Sequence, residues 1–327
     1  MIARALRALM LLQVLAMLAL AWQMHEAGLP WPLAGLLGLA AVLAARALVV
    51  ARNIWHSRRA EAGQADRGQA AMLAAMAPLP PWQAVRLFGG ELRSNLWTSS
   101  WCMLRPRLVA TPTPKAGLLP VLLVHGYVCN RGFWSPMSAA LAKAGVLHDA
   151  VDLEPVAGSI DQFVPLVMQA IEALRVRSGS AQVVIVAHSM GGLVARACLA
   201  LHGQAAVAHV ITIGTPHHGT ALANLGVGRN ARQMSRPGGQ PSDWLVQLAA
   251  SETPARRAMM TSIWSRHDNI VAPQISAELP GARNVVFDGI GHVALAFDMR
   301  VQQAVLSEIT IVSEAAVAGF SRASSAG

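Results

Sequence analysis

The apolar positions of this chain follow two regimes. Up to Val50 they form long, nearly continuous runs, Leu6–Trp22 and Pro32–Val50, the second interrupted by Arg46 near its end. Each is close to the ~20 residues that carry an α-helix across a bilayer. Gln23–Pro30 between them is a short polar turn with Gly28 and Pro30, and Trp22 and Trp31 sit at its edges, where aromatic belts lie. This pattern predicts a helical hairpin in a membrane over residues 1–56. From Leu118 the apolar residues instead come in short bursts that alternate with helical spacing. That alternation predicts an α/β domain with a mostly parallel sheet and helices on both faces.

Within that domain, placed at residues 112–312, the predicted strands are Leu119–Val124, Leu147–Leu153, Val183–Val186, Val207–Ile213, Met259–Trp264 and Asn284–Phe287. The predicted helices are Phe133–Lys143, Ile160–Val176, Leu193–Leu201, Asp243–Ala250 and Val293–Leu306. Residues 57–111 read as a connecting region. Ser57–Gln69 is a polar linker or helix end, and Pro78–Pro81 breaks the chain. Trp82, Val85, Phe88 and Leu92 then recur near helical spacing, which predicts a helix on the domain or on the membrane surface, its tryptophans used in packing. Cys102–Val109 is a candidate first strand, and Thr111–Pro114 a loop. The small, polar residues after Ala316 predict a frayed tail within 313–327.

Composition supports the division. The chain is 54% hydrophobic and only 13% charged, an excess of apolar residues for a purely soluble protein. Its net charge of +9 is carried mostly by scattered arginines. No basic helix with interleaved aromatics accompanies them, which argues against nucleic-acid binding. Arg4 and Arg7 precede the first apolar run, while Arg46, Arg52, Arg58, Arg59 and Arg67 lie at or after the end of the second. The positive-inside rule then puts both ends of the hairpin, and the domain, on the cytoplasmic side. Two alternatives stay open: a signal peptide cleaved near Ala19-Leu20-Ala21, or one span plus an interfacial helix, with the domain outside. The three cysteines, Cys102, Cys129 and Cys198, are far apart, and neither a disulfide framework nor metal-ligand spacing follows.

The chemistry centres on Val183–Gly192, VVIVAHSMGG. A buried strand ends at Ser189, small residues flank it at Ala187 and Gly191, and a helix follows. This is the sharp strand–helix turn that exposes a nucleophilic serine and aims the next backbone N–H, that of Met190, at a substrate oxygen. Leu123-Val124-His125-Gly126-Tyr127 ends the preceding strand and offers a second such N–H at Tyr127. Gly126 allows close approach, and His125 fixes the loop. Asp268, after the strand ending near Trp264, is the candidate orienting acid. His292, in Gly289-Ile290-Gly291-His292-Val293, is the candidate base. The order Ser189, Asp268, His292 is that of a serine-hydrolase triad on an α/β sheet. Each motif alone has a bland reading as a cap, a loop or a core histidine; together they stand at the expected junctions.

With these motifs, the stretch from about Leu118 to about Phe297 resembles the small bacterial lipases and esterases of the α/β-hydrolase superfamily. The resemblance implies hydrolysis of a lipid or other acyl ester through an acyl-enzyme, at a bacterial inner membrane, with no metal or organic cofactor. It carries the oxyanion hole to Tyr127 and Met190. The triad serves a thioesterase, lysophospholipase, amidase or acyltransferase equally well, and a non-catalytic scaffold with a relic fold is the reading of a different class. Thr215-Pro216-His217-His218-Gly219 resembles a loop beside the acyl pocket of larger lipase-like enzymes, so Pro216 and His217 join Gly126, His188 and Trp244 as substrate-binding candidates. A metal role for His217 and His218 is the weaker alternative. The Gly-rich stretch Gly219–Gln240 and the helix Asp243–Ala250 form either a partial lid over Ser189 or a solvated loop with a packed helix.

Overall fold

The structure, a computed structural model, describes residues 1–64, 79–111 and 113–324. Part of the expected linker (65–69), together with Pro78 and Pro112, lies outside them. In chain order the main elements are α1 (Ile2–Glu26), α2 (Trp31–Gln64), α3 (Pro81–Trp97), β1 (Val121–Val124), α4 (Ser135–Lys143), β2 (His148–Val151), α5 (Ile160–Ser178), β3 (Val183–His188) and α6 (Met190–His202). They continue with β4 (Val207–Ile213), α7 (Arg229–Gln233), α8 (Asp243–Ala250), α9 (Pro254–Ala258), β5 (Met260–Ser265), β6 (Arg283–Phe287) and α10 (Met299–Ser324).

The six strands pair in parallel in the order β2-β1-β3-β4-β5-β6. Strand residues alternate between two cores, as the pleat requires. Leu122, Val124, Val183 and Ile185 face one core with Phe163, Ile171 and Leu193 of α5 and α6. Val121, Leu123, Val184 and Val186 face the other with Met137 and Leu141 of α4 and Val305 and Ile309 of α10. The strands are apolar on both faces because helices cover both. The order reverses beside β1, so the C-terminal ends of β1 and β3 open a crevice, where α/β folds bind ligands.

α1 and α2 form an antiparallel hairpin, and both are long and apolar enough to cross a bilayer. They meet closely at Gly38, where a Cβ would come within 2.8 Å of the Met17 carbonyl; small residues serve such crossings in membranes. Trp22 and Trp31 pack at the turn, ring centroids 5.8 Å apart. The other end of the hairpin rests on the α/β domain. Leu6 joins the second core, and Arg7 donates to the Leu104 carbonyl at 2.9 Å. Arg46, on the second apolar run, donates to Gln13 of α1 and to Ser99 and Ser100 after α3. That polar cluster satisfies the guanidinium on an otherwise apolar helix.

Three expectations need correction. Cys102–Val109 is not a strand. A π-helical turn, Thr98–Cys102, prolongs α3, Pro106 has no N–H to give a ladder, and the Val109 N–H is held by Ser138 Oγ. The last helix does not fray after Ala316 but runs to Ser324. Val301, Val305 and Ile309 recur on its buried face, and Ser313 Oγ accepts from the Leu119 N–H at 3.0 Å, tying the helix to the entry of β1. α3 turns the other way from the expected packing. Its buried positions are Leu87, Glu91 and Ser94, while Trp82 and Val85 are 58% and 70% exposed, with Trp97 and Trp101 exposed as well. Glu91 is inside because its carboxylate has hydrogen-bond donors there, the Val293 and Ala294 N–H groups.

Candidate active site

β3 delivers the chain into a turn that only small neighbours permit. Ser189 has φ 54° and ψ −126°, a conformation L-residues rarely hold and one that clusters at functional sites. A Cβ at Gly191 would come within 2.4 Å of the Val124 carbonyl, and one at Gly126 within 2.8 Å of Ser189 Cβ. The turn after β1 and the turn after β3 therefore interlock, and Gly126 is the side-chain-free point where they meet. The Ser189 N–H donates to the Ile213 carbonyl, and Thr215 Oγ1 donates to the Ser189 carbonyl, both at 2.9 Å.

His292 Nδ1 donates to Asp268 Oδ2 at 2.8 Å, and both side chains are buried. Asp268 Oδ1 accepts from the Ile270 and Val271 N–H groups, each at 2.8 Å, so the loop after β5 holds the carboxylate. Asn269 Oδ1 accepts from the His292 N–H at 2.9 Å, a link sequence motifs did not reveal. Burial alone would pull the imidazole pKa down. The charge and hydrogen bond of Asp268, with the charge of Glu91, more than offset it and raise His292 above its ordinary value. His188, the candidate beside Ser189, is a buttress: its ring lies 4.6 Å from that of His292, and Nε2 donates to the His292 carbonyl at 3.1 Å. Burial, then the charge on His292, push its own pKa far down, so it stays neutral.

Glu91 is the residue the sequence concealed. It reaches from α3 to the histidine loop across two hundred residues of chain and is 1% exposed. Its carboxylate accepts from the Val293 and Ala294 N–H groups at 3.2 and 3.0 Å, and from Asn95 Nδ2 at 3.1 Å. A Cβ at Gly291 would lie 2.5 Å from Glu91 Oε2. That contact explains the second glycine of Gly289-Ile290-Gly291. Burial raises the Glu91 pKa, against the backbone donors and the charge on His292. The only trace in the sequence is that Glu91 is the single acidic residue of α3. Glu91→Gln turns one acceptor into a donor facing a buried N–H, which costs about 1–3 kcal/mol. Glu91 also raises the His292 pKa, so the acidic limb of the pH–rate profile should move to lower pH in this variant. Denaturant unfolding and a pH–rate profile read the two effects, and an unmoved limb would show that Glu91 acts on stability alone.

A pocket of about 250 Å³, partly open to solvent, lies at Ser189. Tyr127, Pro216, Leu222, Leu225, Met234 and Val271 are among its walls. The backbone N–H groups of Tyr127 and Met190 donate to no partner among the described residues. The Tyr127 hydroxyl donates to the Val227 carbonyl at 2.7 Å and accepts from the Val227 N–H at 3.1 Å, clamping the loop that roofs the pocket. His125 is buried; Nδ1 donates to the Gly126 carbonyl and Nε2 accepts from the Leu153 N–H, which fixes the turn.

The remaining candidates separate. Pro216 lines the pocket and Gly126 abuts Ser189, but Gly126, His217 and Trp244 are not among the lining residues. His217 is buried among Thr212, Ser262 and Arg196, whose guanidinium pairs with Glu252 at 2.6 Å. The His218 N–H donates to the Ser276 carbonyl at 3.1 Å. Trp244 packs on the first core and donates from Nε1 to Asp161, because Leu245 and Leu248 draw α8 against the domain. The Ala221–Leu225 turn contributes Leu222 and Leu225 to the pocket, whereas α8 is a core helix.

Comparison with known proteins agrees with the fold. The family model described as PGAP1-like alpha/beta domain matches residues 157–233. A triacylglycerol lipase of Burkholderia plantarii is 32% identical over 132 residues, which is 37% of this chain and 36% of that protein. This chain thus matches about a third of the curated relative's length. The mature form of the Bacillus licheniformis lipase BlEst2 superposes with a TM-score of 0.55 at 18% identity, covering 62% of this chain and 96% of that one. Its propeptide form gives 0.54 at 18% identity, over 62% and 52%. The superposition shows that the chain has the fold of these lipases, and over about a third of its length its sequence is similar to that of a triacylglycerol lipase.

Proposed function

We propose that this chain is a membrane-anchored serine hydrolase of carboxylic esters, with Ser189 as nucleophile, His292 as general base and Asp268 as its orienting acid. The observation that carries the reading is the strained Ser189 turn opening on an apolar pocket, backed by the buried His292–Asp268 hydrogen bond. His292 takes the Ser189 proton as Oγ attacks the ester carbonyl. The developing oxyanion sits against the Tyr127 and Met190 N–H groups, where loss of one donor typically costs roughly 2.7–4 kcal/mol. His292 then protonates the leaving alcohol, and water releases the acid from the acyl-enzyme.

α1 and α2 would cross the bilayer, and the exposed Trp82, Trp97 and Trp101 would rest at its surface. The arginines that flank the hairpin support a cytoplasmic side for the domain. The test uses the full chain with a reporter fused after Gly327. The reporter should be active in the cytoplasm. The solubilised protein should react with a fluorophosphonate probe and cleave p-nitrophenyl esters, favouring long acyl chains. A folded chain that neither labels nor cleaves any ester would leave only a scaffold.

A further inference from the structure

The wall of the pocket facing the hairpin is not made by the hydrolase domain. It is made by the last turns of α2, through Arg52, Asn53 and His56, and α2 also packs on the Ala221–Leu225 turn that roofs the cavity. Arg52 is exposed and has no ion-pair or hydrogen-bond partner among the described residues. No carboxylate lines the pocket among those residues either. The rest of the lining is mainly apolar, with Leu222, Leu225 and Met234 near Ser189. An unpaired cation at the edge of an apolar cavity is suited to a ligand with a long apolar body and an anionic head.

The depth of these residues says where such a head would come from. Trp31 opens α2 at the turn of the hairpin. At 1.5 Å per residue, Arg52 lies about 32 Å further along the axis, close to the thickness of a bilayer's hydrocarbon core. With Trp31 at one interface, Arg52, Asn53 and His56 stand at the level of the phosphates of the other. The mouth of the pocket is thus at headgroup depth, on the side of the hairpin that carries the domain.

We infer that the pocket takes a glycerophospholipid directly from that leaflet, its phosphate held by Arg52 with Asn53 and His56 and its acyl chain laid along the Leu222–Leu225 side toward Ser189. The inference rests on the ester-hydrolase reading above and names its substrate. The acyl carbon–oxygen bond breaks as the Ser189 ester forms, and the lysophospholipid leaves with the proton from His292. Water then hydrolyses the acyl-enzyme, releasing a fatty acid and restoring the serine. No other reactant is needed.

The test places the full chain in vesicles of a dialkyl-ether phosphatidylcholine, which has no ester to cleave. Phosphatidylglycerol or diacylglycerol with the same acyl chains is present as a minor component. The readout is the ratio of fatty acid released from the two, which should favour phosphatidylglycerol in the natural chain. In Arg52→Gln that ratio should fall roughly tenfold, the loss of one charge-assisted hydrogen bond. Arg256→Gln removes the same charge from α9, at the N-terminal edge of the sheet, and should leave the ratio as it was. A ratio below one in the natural chain, an unchanged ratio in Arg52→Gln, or an equal fall in Arg256→Gln would overturn the inference. Fluorophosphonate labelling of Ser189 in each variant reports an intact site. Labelling without cleavage of phosphatidylglycerol overturns the phospholipid assignment alone, whereas a folded chain without labelling overturns the hydrolase reading beneath it.

Discussion

Ser189→Ala should lower kcat for ester hydrolysis by about 10⁶-fold and abolish fluorophosphonate labelling, as removal of a serine nucleophile does. It should leave the unfolding midpoint close to that of the natural chain. Alanine keeps the Cβ, so the cost of φ 54° at this position is unchanged. The side-chain oxygen contributes no hydrogen bond to the turn; the contacts there run through the backbone N–H and carbonyl. Ser189→Gly is the informative companion. Glycine relieves backbone strain of about 1–3 kcal/mol, partly offset by about 0.5–1 kcal/mol of added freedom in the unfolded chain. It should be as inactive as Ser189→Ala and more stable. The measurements are probe labelling with peptide mapping and thermal unfolding. Labelling that persists in Ser189→Ala, at Ser135 or Ser265 for instance, would sink the assignment.

The second large effect is expected at Asp268. Asp268→Asn should cost about 10⁴-fold in kcat, because the amide favours the wrong imidazole tautomer. The loop should survive: Oδ1 of the asparagine can still accept from the Ile270 and Val271 N–H groups. Asp268 also raises the His292 pKa. The base works only when neutral, so activity in the natural chain falls as pH drops through that raised value. The residual activity of Asp268→Asn should therefore persist to lower pH. The competing carboxylates are engaged elsewhere. Asp288 pairs with Arg266 at 2.9 Å and Asp152 with Arg131 at 2.8 Å. If Asp268→Asn retained nearly full activity while Asp152→Asn or Asp288→Asn lost it, the acid would be one of those.

The helical hairpin and the pocket share a wall. α3 holds the histidine loop through Glu91, and α2 supplies one side of the pocket. Arg46 ties both helices of the hairpin to the segment after α3. These contacts link the hairpin to the loop that carries His292 and to the mouth of the pocket.

By itself the sequence determined whatever is encoded locally. The alternation of strands and helices is legible because burial on two faces of a parallel sheet leaves continuous apolar strands. The Ser189 turn, the His125-Gly126-Tyr127 turn and the Asp268 and His292 loops are legible because each is a short junction whose residues must be small, acidic or basic where they stand. The two apolar helices are legible by length alone. Tertiary structure decided what depends on distant partners. Glu91 has no local reason to be buried; its partners at Val293 and Ala294 belong to another end of the chain. His217 and Trp244 look like site residues in sequence, yet Arg196, Thr212 and Asp161 claim them. Which face of α3 turns inward was settled by a buried carboxylate needing donors, against the apolar spacing that pointed the other way. And Arg52 becomes part of the pocket only because α2 continues past its apolar run and lies against the Ala221–Leu225 turn. Local composition cannot report a contact whose two halves fold together only when the sheet and the hairpin have both formed.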